Sequence, residues 1–214
     1  MLCRLIFTII VLSMVGLAGC TSKPDDSAGI EHIKKYYEEN SGHYKPKNIV
    51  RINGWEEGDS NYKVEYSYDI IAEKSYDDVL IASLEKTEED SSTLFPTGLA
   101  GLNITLTVIV ALTDGSNDNS FQKIARVNLQ NDAEGARTLE VGKRIQGGKI
   151  SSAAKAYFKA KENLPDFEKA RNLLTAMYEV ESDGFKPEGK KGDVLSNENW
   201  TLEFLKTENG WKVK

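Results

Sequence analysis

The chain has 214 residues, with 27 basic and 33 acidic side chains and a net charge of −6. The Lys and Arg are spread among acidic residues rather than clustered, which argues against a nucleic-acid partner. Two cysteines, Cys3 and Cys20, are too few for a disulfide-rich scaffold, while 40% apolar residues can fill a real core in a chain of this length.

Arg4 and the initiator amine make a weakly positive start, and Leu5 to Val15 form an apolar run of the length that secretory signals use. The run is too short to span a bilayer, which takes about 20 apolar residues. It ends at Leu17-Ala18-Gly19-Cys20, followed by the polar Thr21-Ser22-Lys23. These four residues resemble the lipobox of bacterial lipoprotein signal peptides. The resemblance implies removal of residues 1–19, a thioether-linked diacylglycerol on the Cys20 sulfur, and a fatty acyl chain such as palmitate on the new amine. The alternative is an uncleaved or ordinary secretory signal with a coincidental cysteine. Because Thr21, not aspartate, follows the cysteine, the same resemblance implies the outer membrane with the protein facing the periplasm. A Gram-positive host would instead place it on the outer face of its single membrane. Residues 1–19 carry one charged side chain, Arg4, so the remainder holds 26 basic against 33 acidic residues. Such acidity serves solubility and would also steer a basic partner.

Residues 20–29 are expected to be a lipidated, flexible tether, and residues 30–214 one α+β globular domain. A helix is predicted from about Ala28 to Asn40, capped by Ser27 or Asp26, with Ile30, Ile33 and Tyr37 at helical spacing and Gly42 and Pro46 ending it. Lys47 to Trp55 suits a strand, and a polar turn centred on Gly58 follows. Tyr62, Val64, Tyr66, Tyr68 and Ile70 then alternate with Lys63, Glu65, Ser67 and Asp69, the pattern of a half-buried strand. Those tyrosines either pack a core under the helix or line a ligand groove. Ser75 to Glu89 suits a short helix, with Asp77-Asp78 capping it or turning a hairpin.

Leu102 to Leu112 carries an apolar residue at every even position and is predicted to be a central strand. Phe121, Ala125, Val127 and Leu129 suggest its antiparallel neighbour across the Asp114–Asn119 connection. Ser151 or Ser152 caps a helix through Glu162, and Pro165 opens a second one, making a helical hairpin. In an alternative, Ala176 to Glu181 runs as a strand into an Asp183-Gly184 turn. Phe185 to Asp193 is a loop. The chain closes in a hairpin with Asn209-Gly210 as its two-residue turn, pairing Glu208 with Trp211 and Lys206 with Val213. This register places Trp200, Leu202, Phe204, Trp211 and Val213 on one face. The expected architecture is a mainly antiparallel sheet packed on the N-terminal helix, with the helical hairpin before the C-terminal β-hairpin.

Chemistry-bearing patterns are few. Asp114, Ser116 and Asp118 have the alternate spacing of a calcium loop, but Asn119 stands where that loop needs glycine and Ala125 where it needs a bidentate glutamate. They fit an ordinary turn. Gly142 to Lys149 has a glycine and a Gly-Lys pair before a helix, but the spacing is one residue too long for a phosphate loop and Ile150 replaces the hydroxyl. Lys186, Lys190 and Lys191 form a solvated loop face that could touch a polyanion. His32 and His43 show no partner in sequence. No catalytic, cofactor or metal residue is assigned, and Cys20 as the lipidation site is the one assigned position.

The N-terminal helix with its strands, and the closing Trp200-Thr201-Leu202-Glu203-Phe204 and Gly210-Trp211-Lys212-Val213 strands, resemble the ends of small lipoproteins with a cystatin-like or NTF2-like cone. The resemblance covers the first and last thirty to forty residues after Cys20. With nothing nucleophilic or metal-binding assembled in the sequence, and with an acidic domain tethered at high effective concentration near the membrane, the expectation is a non-enzymatic binding module for an envelope protein, as a subunit of an envelope complex or, on its acidity, as an immunity or inhibitor protein. The alternative is a hydrolase of wall or lipid using a carboxylate pair, whose members are defined by spatial separation rather than by sequence spacing.

Overall fold

Asp25 opens the first helix, α1 (Asp26–Asn40), by accepting the Ser27 backbone N–H on its side chain. The computed structural model describes residues 23–91 and 106–214. Residues 26–29, assigned to the tether on sequence, are therefore helical, and Pro24 before them is buried. Gly29 and Ile33 bury one stripe of α1, with Tyr37 half-buried one turn further on. The helix ends at Ser41 and the chain turns directly into β1 (Tyr44–Glu56). Pro46 thus lies inside a strand rather than ending the helix, which is permitted because β1 is an edge strand.

The sheet has four strands in the order β1, β2 (Asn61–Ala72), β3 (Val194–Thr207) and β4 (Gly210–Val213), and it is antiparallel. Alternation in β2 works as the sequence implies. Tyr62, Val64, Tyr66, Tyr68 and Ile70 are all at most 5% exposed, and their neighbours Lys63 to Asp69 are half-buried. Burying each such side chain contributes about 2 kcal/mol. The tyrosines are core rather than groove lining: Tyr66 packs so closely that a Cβ on Gly29 would overlap its hydroxyl, and the Tyr37 and Tyr68 hydroxyls share a 3.2 Å hydrogen bond. Phe204 and Leu202 add to the same core from β3.

The closing hairpin keeps the predicted faces but shifts register by two residues. Phe204 pairs with Val213, Lys206 with Trp211 and Thr207 with Gly210, so the turn is Glu208-Asn209. A primed turn at Asn209-Gly210 needs both residues at positive φ, and only Gly210 (φ +103°) is there. An even shift leaves every side chain on its own face, and Trp211 still reaches Tyr62 edge-on at 5.9 Å.

Helix exceeds strand, at 49% against 25%, because every described element between β2 and β3 is a helix. Ser75 and Asp78 cap α2 (Tyr76–Ser91) reciprocally, each side chain accepting the other's backbone N–H. Residues 106–111 are helical, with Leu112 N–H donating to the Val108 carbonyl at 2.9 Å. This corrects the central strand expected over 102–112, of which residues 102–105 lie outside the described residues. Val108, Val110 and Ala111 are all buried, so the run is apolar around most of its circumference and its even-position pattern carried no one-sided face. Its expected neighbour is also a helix, α3 (Ser120–Asn131), begun by a full capping box between Asn119 and Gln122.

Then follow α4 (Ala133–Gln146), α5 (Ser152–Lys159) and α6 (Asp166–Ser182). The last two are the anticipated pair, and the alternative strand at 176–181 is helix. Each rests on α2, and α6 also packs on α4. Gly142 makes close approach possible, since a Cβ there would overlap the Ala111 carbonyl oxygen. The described residues divide into two compact units, one of residues 23–70 with Asn197–Lys214 and one of those between Ile71 and Ser196.

Candidate functional site

The lipidation residue Cys20 lies outside the described residues. Asp114, Ser116 and Asp118 lie close together, with Asp114 Oδ1 and both Asp118 oxygens accepting from protein donors. Asp114 accepts the Ser116 hydroxyl at 2.6 Å and its N–H at 2.8 Å. Asp118, buried at 8% exposure, accepts Arg126 Nε at 2.6 Å and the Thr113 hydroxyl at 3.2 Å. The Arg126 hydrogen bond comes first among the causes that hold the Asp118 carboxyl below its ordinary range. Arg126 Nη2 also reaches the Thr113 hydroxyl at 2.7 Å. This is a brace that fixes the start of α3.

The Gly142–Lys149 stretch is the last turn of α4 and its cap, two residues ahead of α5. Gly148 (φ +67°) sits after the cap, Lys149 N–H returns to the Arg144 carbonyl at 2.8 Å and Gly148 N–H to the Ile145 carbonyl at 3.0 Å. That pair of bonds is a Schellman motif, which satisfies carbonyls and offers no cradle of N–H donors. In the loop before β3, Lys186, Lys190 and Lys191 are exposed, and Asp193 holds the Lys190 N–H at 2.7 Å. His32 stacks edge-on against Trp200 at 5.7 Å. Among the described residues no three His, Cys, Asp or Glu side chains group as a metal site, and no helix is long and apolar enough to cross a membrane.

What sequence reasoning missed is the outer face of α3. Phe121, Ile124 and Val127 follow one another at three-residue spacing along one side of this helix and are 78%, 62% and 53% exposed. No residue of α3 is fully buried, and Gln122, Ala125, Arg126 and Leu129 supply the half-buried side toward α4. Single exposed apolar side chains are ordinary, whereas a contiguous row marks a contact surface. Each of these side chains leaves on the order of 1 to 3 kcal/mol of burial unrealised. The signal was present in the sequence as the Asn119-x-x-Gln122 box, which selects a helical period and places 121, 124 and 127 together.

The other exposed apolar row, Val50, Ile52 and Trp55 on β1, differs in being guarded. Pro46 and the left-handed Asn48 (φ 54°) interrupt that edge strand, and Arg51 between the exposed residues is bound to Asp26 at 3.1 Å. The α3 row has no such interruption.

No family model, curated protein or solved structure matches this chain.

Proposed function

We propose that this chain is a lipid-anchored protein of the bacterial envelope, held through Cys20, whose folded part is a non-enzymatic binding module for an envelope protein. The observation that carries the binding role is the uninterrupted apolar row of Phe121, Ile124 and Val127. An anchored module gains from high effective concentration, so a modest apolar contact suffices to hold a partner near the membrane. The charge balance beyond residue 19, 26 basic against 33 acidic residues, favours a partner with a basic surface. The sorting rule read from Thr21 makes the outer membrane, facing the periplasm, the expected location.

Two measurements test this. Metabolic labelling with a fatty-acid analogue should mark the protein and fail on Cys20→Ala; a labelled variant would end the anchor reading. A photo-crosslinking residue at position 121 of the lipidated protein should capture one envelope protein reproducibly, while the same group at the exposed Glu140 should not. No adduct from 121, together with turnover of peptidoglycan or lipid that vanishes on replacing one Asp or Glu, would overturn the module in favour of the carboxylate-pair hydrolase.

A further inference from the structure

The ladder at the β4 edge of the sheet is unfinished. β4 pairs with β3 only over Phe204–Thr207, although β3 begins at Val194. In an antiparallel strand the N–H and C=O of one residue share a side and those of the next face the other way. Lys214 N–H donates to the Glu203 carbonyl at 2.9 Å on the β4 side, and Lys206 N–H to the Ser60 carbonyl at 2.9 Å on the β2 side. Odd-numbered residues of β3 therefore address the β4 side. Past the end of β4, the N–H and C=O of Asn197, Asn199 and Thr201 point where no strand of the described residues lies, and all three residues are exposed. At Leu195 the opening ends, because its carbonyl oxygen lies against Gly184, 3.4 Å from where a Cβ there would sit. The opposite edge of the sheet is interrupted by Pro46 and the left-handed Asn48, whereas residues 197–201 contain no proline, no glycine and no positive φ. Water satisfies such groups one at a time; an extended chain matches their repeat of about 7 Å all at once.

Side chains beside the edge set what that chain carries. Trp200 shares its face with the buried Leu202 and Phe204 and meets Tyr36, itself 46% exposed, at 5.0 Å. Glu198, two residues away, lies on the same face and is exposed. On the other face the Asn197 side-chain amide is tied to Asp69. We propose that the β3 edge at 197–201 takes up an extended segment of a partner protein as an antiparallel strand in line with β4. The segment carries an apolar residue opposite Trp200, a basic residue opposite Glu198, and polar residues opposite Asn197, Asn199 and Thr201. A second copy of this chain does not fit, because antiparallel pairing over 197–201 would drive each copy's Val194 and Leu195 onto the other's β4. This edge belongs to the sheet unit and does not depend on the α3 row.

The test adds the peptide acetyl-Thr-Val-Thr-Lys-Thr-amide to the full-length lipidated protein in detergent and follows backbone amides by nuclear magnetic resonance. Saturable binding should slow hydrogen exchange at Asn197, Asn199 and Thr201 at least about fivefold, while Trp200 and Leu202, whose N–H groups face β2, change little. In antiparallel register the threonines of the peptide face those three residues. Methylating the three threonine amide nitrogens should therefore weaken binding at least about tenfold, whereas methylating those of its valine and lysine, which point away, should leave it within about twofold. Glu198→Gln should weaken the peptide about threefold. Asn199→Pro deletes one outward N–H at an edge that tolerates proline and should weaken binding about tenfold, with unchanged exchange protection over Tyr62–Ile70 showing that the sheet is intact. No saturable binding, slowing that ignores the alternation, or equal effects of the two methylation patterns would each overturn the proposal. Crosslinking from position 121 reads the α3 surface independently, so the two ideas fail separately.

Discussion

The sheet unit and the helical unit solve the burial problem in opposite ways. In the first, one face of β2 is sealed and the other half-open, and the core is built from residues far apart in the chain, such as Tyr66 and Phe204. In the second, a contiguous stretch wraps apolar residues inside helices packed on several sides, with Val110, Val141, Leu84 and Ala176 almost wholly buried. A one-sided element advertises its period, whereas an element buried around its circumference hides it. Shape tolerance differs accordingly: the helices meet through glycine at backbone distance, the sheet through large aromatic side chains.

The sharpest way to break the helical half is Gly142→Val, whose side chain would overlap the Ala111 carbonyl oxygen. A loss of at least about 3 kcal/mol is expected, with hydrogen exchange rising first in amides between 106 and 146 while Tyr62–Ile70 stays protected. Equal loss in both units would merge them into one cooperative block.

For the sheet half the corresponding probe is Tyr66→Ala, expected to cost about 3 to 4 kcal/mol by denaturant titration. Tyr66→Phe should be neutral or stabilising by up to about 1 kcal/mol, because the buried hydroxyl has no hydrogen-bond partner among the described residues. Gly29→Ala should destabilise the wild type and do so less when combined with Tyr66→Phe, since the added methyl meets the hydroxyl first.

Titration offers one probe in each half, at opposite ends of the pH scale. Burial pushes the Tyr66 phenol up to about 12, so its contribution is complete below the ordinary phenol range near 10 and disappears as pH rises through the folded value. The tyrosinate absorbance that Tyr66→Phe removes should therefore appear late and together with loss of the sheet signal. The Asp118 carboxyl is shifted the other way by Arg126. Its contribution is complete above the ordinary carboxylate range near 4 and is lost as pH falls through the depressed folded value. Asp118→Asn should flatten that acid limb, read as exchange of amides 113–118.

The smallest effect on stability belongs to Phe121→Ser, within about 0.5 kcal/mol, since the ring is already in water. If the α3 row is the contact surface, this nearly silent change should abolish crosslinking from position 124. Loss of stability comparable to a core substitution would show that the ring is structural.

Legibility in the sequence followed the same division. The first helix, β1, β2 and the closing hairpin could be read because Ile33, the β2 tyrosines, Leu202 and Phe204 each mark one side of an element. Their details slipped in three places: residues 26–29 extend the helix into the expected tether, Pro46 lies inside β1, and the hairpin register moves because Asn209 does not take the positive φ that a type I′ turn asks of it. In the helical half, 106–111 and α3 read as strands from the even spacing of their apolar residues, whereas for α3 the Asn119-x-x-Gln122 box is the better evidence, because a reciprocal cap commits the chain to a helix. The bridge from Tyr76 through Glu181 to Arg144 was not legible at all, because these residues are distant in sequence and meet only through packing of α2, α4 and α6.

The insertion of the helical segment has a consequence for biogenesis. Its two ends meet: Gly192 N–H donates to the Ala72 carbonyl at 2.8 Å and Ala72 N–H to the Asp193 carbonyl at 2.9 Å. A chain that emerges amino terminus first therefore finishes β2 about 120 residues before β3 arrives, an interval on the order of ten seconds at ordinary synthesis rates. Throughout that interval the long tyrosine-bearing strand has one side without its ladder partner, the situation that invites pairing with other chains. The helices, being contiguous and rich in local contacts, can form meanwhile and bring residue 193 back to residue 72 before the last strands are even made. The insertion thus acts as a timer and a clasp, and the open β2 edge is where a holdase would need to act.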